Sequence, residues 1–175
     1  VDASHQPLAG NIASTRAVCE TAHACGITVE GELGYVPGVE GEDAQRHPGG
    51  FAYTSVEEAS RYVAESGVDC LAVSIGTVHG RMRERAQLDL PRLQAINEQL
   101  QIPLVLHGGT GLEAAQFADL IAHGICKINY YTALADAADE AIRHRLQGGA
   151  RGYTALVAGI SAAVAAEAGR CIDLW

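Results

Sequence analysis

Two histidines stand in closely similar text, Gly76-Thr77-Val78-His79-Gly80 and Val105-Leu106-His107-Gly108-Gly109-Thr110-Gly111. Each follows an apolar run that reads as a buried strand, and each precedes a glycine. If both strands end on one side of the molecule, the two imidazoles converge, and they suit Zn²⁺, which takes three protein ligands and keeps one open position when catalytic. Taken singly, either histidine reads more simply as an ordinary loop or core residue. The repeated His-Gly context brings the metal reading level with that one. The other histidines, at 5, 23, 47, 123 and 144, lack this context and read as surface residues.

Glycines 80, 108, 109 and 111, with Thr110, are compatible with plain turn chemistry. Thr110 followed three residues later by Glu113 is a capping-box pattern, which predicts a helix whose free N–H groups point back toward Gly108 and Gly109. A second helix start at Asn129-Tyr130-Tyr131-Thr132 adds another anion-binding terminus, and position favours phosphate binding over simple turns. Lys127 reads either as a side chain pointing into the barrel or as a buried amine paired to Asp or Glu. Glu30, Glu32, Glu40 and Glu42 surround a Gly-Pro-Gly-rich loop over 34–50. Glu42 and Asp43 read as a solvated face, Glu32 ends a strand, and Glu40 sits where a loop can deliver a base.

The elements that must position these residues alternate. Three times a helical segment gives way to Gly and a β-branched residue, at Gly26-Ile27, Gly67-Val68 and Gly124-Ile125, a helix stop followed by a strand start. Helices are predicted over Asn11–Cys25, from Ser55 with Glu58 completing a capping box, and over Pro91–Leu100, Leu112–Ala122, Tyr131–Leu146 and Tyr153–Cys171. Strands are predicted at Val1-Asp2, Ile27–Glu32, Cys70–Ile75, Leu104–Leu106 and Ile125–Ile128, with 33–54 a long loop. Continuous apolar strands between helices indicate a parallel sheet covered on both faces. Asp2, Glu32, Ser74 to His79, His107 and Asn129 all fall at strand carboxyl ends, which favours a (β/α)8 TIM barrel over an open doubly wound sheet. The chain would be a single domain over 1–175 that supplies about the last five strands.

The bulk numbers exclude other classes. A net charge of −9, from 12 Lys and Arg against 21 Asp and Glu, leaves no basic face for nucleic acid or an anionic membrane. Five cysteines contain no C-x-x-C pair and read as reduced and mostly buried. With no signal-peptide pattern and no uncharged apolar run of membrane length, a cytoplasmic protein is expected.

Together, Asp2-Ala3-Ser4-His5, Glu30-Gly31-Glu32-Leu33-Gly34 with Gly38 and Glu40, the two His-Gly motifs, and Lys127-Ile128-Asn129 with Thr132 resemble class II, zinc-dependent ketose-bisphosphate aldolases. The resemblance implies a barrel enzyme that reversibly cleaves a ketose bisphosphate to dihydroxyacetone phosphate and an aldehyde, in a dimer or tetramer. It implies Zn²⁺ on His79, His107 and a third histidine, with Asp2 and Glu32 near a second or alternative metal position and a monovalent cation as a further candidate. Gly80, Gly108, Gly109, Thr110, Asn129 and Thr132 would hold the phosphate and enediolate. Glu40 would abstract the proton, Asn129 would act beside it, and Arg151 resembles a phosphate-contacting position. The family's Asp-His pair is absent from these residues, so the chain resembles roughly the last three-fifths of such an enzyme. Tyr130 and Tyr131 also depart from the pattern. Two further readings remain open: a non-catalytic barrel module that binds phosphate or pairs with another chain, and a zinc barrel hydrolase.

Overall fold

Leu71, Ala72 and Val73, and then Leu104, Val105 and Leu106, are all at most 1% exposed, so these strands have no solvent face. The computed structural model describes residues 1–44, 52–82 and 85–175, with the backbone alone for 39, 40 and 42–44. Among the described residues the strands are β1 (Glu30–Leu33), β2 (Gly38–Ala44), β3 (Cys70–Val73), β4 (His79–Met82), β5 (Leu104–Leu106) and β6 (Ile125–Ile128). β1, β3, β5 and β6 form one parallel sheet in that order, and β2 and β4 form a second parallel pair. This is the α/β architecture with a parallel sheet that the alternation predicts.

The helices are α1 (Leu8–His23), α2 (Val56–Ser66), α3 (Leu90–Leu100), α4 (Ala114–Ala122), α5 (Thr132–Gln147), α6 (Tyr153–Val157) and α7 (Ile160–Leu174). α1 to α4 pack on one another in sequence order, and α5 packs on α7. Local chemistry sets several ends. The Ser55 hydroxyl accepts from Glu58 N at 3.2 Å to cap α2, and Gly67 at φ 78° ends it, a backbone conformation that costs glycine little. Asp89 caps α3 by accepting from Arg92 N at 3.1 Å.

Several expectations are corrected. Val1-Asp2 is not a strand, although the Val1 amine donates to Glu30 O at 2.5 Å and so lies along β1. The long loop contains β2, which glycine-rich text concealed because pairing with β4, rather than propensity, makes it a strand. The helix after Gly111 begins at Ala114, capped reciprocally by Glu113 and Gln116, so the Thr110–Glu113 box does not form. The last helix is two, because Gly159 at φ 88° breaks it. Cys25 and Cys126 are exposed and Cys70 is half-buried, which leaves Cys19 and Cys171 as the buried thiols; all five are free. Residues 153–174 are long and apolar enough to cross a membrane. Here the segment is broken at Gly159, α7 packs on α5, and Trp175 contacts the rings of Phe117 and Tyr130. Glu42, Asp43 and His47 fall outside the described side chains.

Leu93, fully buried beneath α3, and Ile172, 72% exposed on α7, offer a test of where stability resides. Leu93→Ala should cost roughly 2–5 kcal/mol by urea denaturation, because it leaves a cavity. Ile172→Ala should stay within about 0.5 kcal/mol.

Candidate functional site

β1 carries Glu30-Gly31-Glu32, and strand alternation puts both carboxylates on the same face. Gly31 faces the other way, where an added Cβ would collide with Tyr62 Oη and Val68. The strand can thus close against α2 while its two acids face the next strand ends. Glu32 is 4% exposed, and the Asn11 amide donates to its backbone carbonyl at 2.8 Å.

The two histidine loops are bound to each other. The buried Thr77 hydroxyl donates to His107 O at 2.7 Å, and His79 N–H donates to Pro37 O at 2.7 Å. Gly108, at φ 73°, lies so close to the Val78 carbonyl that no side chain fits. These contacts bring the His79 and His107 ring centroids to 5.6 Å, with the planes tilted 42°. Two imidazoles sharing a tetrahedral zinc at its usual ~2.0–2.1 Å bond lengths have centroids roughly 5 Å apart.

His107 is the electrostatic centre. Its Nδ1 lies 3.0 Å from Glu32 Oε2, while its Nε2 lies 3.0 Å from Glu30 Oε1 and 2.8 Å from Asn129 Nδ2. Burial opposes a charged ring, but the bonds to Glu30 and Glu32 outweigh it and push the pKa up to about 9. The bond from His107, aided by Lys127, pulls Glu30 down to about 2. Lys127 Nζ donates to Glu30 Oε2 at 2.7 Å and to Asn129 Oδ1 at 2.6 Å. Of the reading as a buried, paired amine the pairing holds, but the side chain is 53% exposed rather than buried. Burial acts to raise the Asp2 pKa, but bonds from the Ser4 hydroxyl and N–H, at 2.7 and 3.0 Å, hold it below its usual value.

His79, Gly80, Gly108, Thr110, Asn129, Tyr131 and Thr132 line one narrow pocket of about 10 Å³, room for roughly one water. Thr110 reaches it differently from expectation: its hydroxyl accepts from Ala133 N at 3.2 Å, on the first turn of α5. Gly109 packs behind, against Ile128 and Tyr130. The Thr132 hydroxyl accepts from Gly41 N at 3.1 Å, which brings the backbone beside Glu40 to this pocket; the Glu40 carboxylate lies outside the described side chains. Arg151 is not brought to the cluster: it is exposed in the turn after α5, with Nη1 donating to Ala150 O at 3.2 Å. Larger hollows lie elsewhere, notably an open trough of about 580 Å³ between α5 and α7.

Sequence reasoning overlooked Arg81, which donates from Nε to Asp136 Oδ2 at 2.8 Å and from Nη2 to Oδ1, and from Nη1 to Gly41 O at 2.7 Å. Nothing in the sequence links positions 55 residues apart. Glu30 was seen only as part of an acidic run, although its alternation with Glu32 on a strand was a usable signal. Among the described residues, no group of three His, Cys, Asp or Glu forms a complete metal site.

Catalytic side chains gathered at the carboxyl ends of parallel strands characterise barrel enzymes. The family model described as fructose-bisphosphate aldolase class-II matches residues 1–175, and the chain belongs to that family. Among solved structures it is similar to the YdjI aldolase from Escherichia coli K12, at 30% identity and TM-score 0.78 over 99% of this chain and 57% of that one. It is also similar to the Coccidioides immitis protein solved under the name of a fructose-1,6-bisphosphate aldolase, at 30% identity and TM-score 0.85 over 99% of this chain and 61% of that one. A fructose-bisphosphate aldolase from Campylobacter jejuni shares the fold at 20% identity and TM-score 0.71, over 99% of this chain and 58% of that one. The chain therefore spans about three-fifths of the length of these proteins.

The His107–Glu30 charges set a pH dependence in chelated, metal-free protein. His107 at about 9, above its ordinary 6.5, contributes stability in full below 6.5 and loses it as pH rises through 9. Glu30 at about 2, below its ordinary 4.5, contributes above 4.5 and loses it as pH falls toward 2. Tm measured against pH should plateau between about 4.5 and 6.5 and decline toward 9. Glu30→Gln should flatten the alkaline decline.

Proposed function

We propose that this chain forms the metal- and phosphate-binding part of a zinc-dependent ketose-bisphosphate aldolase. The observation that carries the reading is the facing pair His79 and His107, at a separation that suits one shared ion, beside Glu30 and Glu32. The donor set fits: in the metal-free state the two carboxylates draw a proton onto His107, which marks a place that favours positive charge. His79 and His107 would hold Zn²⁺, with Glu32, 3.0 Å from His107 Nδ1, and Asp2 as candidates for a second or alternative position. A zinc ion bound there supplies Lewis-acid polarisation of the substrate ketone.

The chain's own residues account for the remaining work. Backbone N–H groups of Gly80, Gly108 and Gly109, with the Thr110 and Thr132 hydroxyls at the start of α5, bind the phosphate of dihydroxyacetone phosphate. The pocket must widen to admit it, which releases the Gly41–Thr132 bond. Lys127 fixes Asn129 Oδ1, and of the two amide N–H groups of Asn129 the one not directed at His107 Nε2 is left for the enediolate oxygens. In the condensation direction Glu40 takes a proton from the carbon next to the ketone, and in cleavage the same carboxyl returns it. The electrons left on carbon form the new bond to the aldehyde, whose oxygen takes up a proton from water.

Full-length protein assayed with fructose and tagatose 1,6-bisphosphates should lose activity on chelation and regain it with Zn²⁺. Activity that persists without metal defeats the reading. His107→Ala should lower bound zinc below one equivalent and reduce kcat/KM by at least about a hundredfold. A second reading, a non-catalytic module, is favoured by the incomplete ligand set among the described residues. Appreciable turnover by the 175-residue chain alone rules it out.

A further inference from the structure

The pairing of β2 with β4 is uneven: Gly38 pairs with His79 and Asp43 with Arg81, so β2 takes five steps where β4 takes two. Residues 39–42 therefore form a bulge beside His79, and bulges next to active sites serve to re-aim a side chain. Gly41 turns this bulge at φ 81°. Both peptide groups of Gly41 are held from outside the strand: its N–H by the Thr132 hydroxyl at 3.1 Å, its carbonyl by Arg81 Nη1 at 2.7 Å. Arg81 is itself oriented by two parallel bonds to the Asp136 carboxylate, one turn along α5 from Thr132.

We propose that the Arg81–Asp136 pair is a positioning device that fixes the bulge carrying Glu40 against the start of α5. The proposal rests on the proposed role of Glu40 in proton abstraction. When phosphate takes the Thr132 hydroxyl, the Arg81 contact is the tether that keeps the bulge in register. Arg81 and Asp136 side chains are 40% and 36% exposed, and an ion pair so open to water adds little to stability. Its contribution is geometric. A carboxylate that must meet one C–H bond is sensitive to displacements of about an ångström, which cost on the order of a hundredfold in rate.

The test uses full-length, zinc-loaded protein with two readouts, kcat and KM for cleavage, and exchange of a dihydroxyacetone phosphate proton with solvent. Arg81→Met and Asp136→Asn should each slow exchange and kcat by about ten- to a hundredfold, with KM and zinc content within about twofold. Arg81→Lys, which keeps the charge but loses the fork, should fall between. In a Glu40→Gln background either change should add almost nothing, because the route through Glu40 is already lost. Asp136→Asn is conservative and lies on a helix surface, so it decides the matter if Arg81→Met does not fold. Unchanged or faster exchange in these variants, or a full additional loss on top of Glu40→Gln, overturns the proposal. Undiminished exchange in Glu40→Gln alone overturns the Glu40 reading itself, and that result is separately visible.

Discussion

A half-buried imidazole held between two carboxylates is the constraint around which this structure is arranged. His107 touches Glu32 with one nitrogen and Glu30 with the other. Removing either acid leaves a charge or a donor uncompensated in a partly dry site, which is far costlier than losing the same contact at the surface. The rest of the local architecture serves this contact. Glycine at 31 lets β1 sit against Tyr62, so that its acids lie at the right depth. Lys127 balances the second oxygen of Glu30, and Asn129 completes the ring of partners around the imidazole.

The same arrangement balances its charges internally when no metal ion is present. A proton on His107 and the ammonium of Lys127 supply the positive charge that the acids need when no ion is present. A metal would take over that task and expel the proton, the usual linkage for sites built from imidazole and carboxylate. The family to which the chain belongs, and its similarity to solved aldolases, give this electrostatic arrangement a chemical context.

Much of this was legible in the sequence, and the physical reasons differ by element. β3 and β5 announced themselves as uninterrupted apolar runs because burial on both faces leaves no position for a polar residue. The His-Gly repeats were legible because a close backbone approach, as at Gly108 against Val78, tolerates only glycine. β2 was not, since its pairing comes from β4, 41 positions onward at Gly38 and His79, rather than from its own composition. The Thr110 cap misled because Glu113 and Gln116 offer a reciprocal pair one turn later, and the hydroxyl was drawn to Ala133 instead. The Arg81–Asp136 pair has no local signature at all, because only the fold brings β4 to α5.

The Thr77 hydroxyl couples the two histidine loops directly. By bridging one histidine's loop to the carbonyl of the other histidine, it ties two strand ends into a single unit. The separation of the two rings, 5.6 Å between centroids, is thereby set by a contact between the loops themselves rather than by each loop alone.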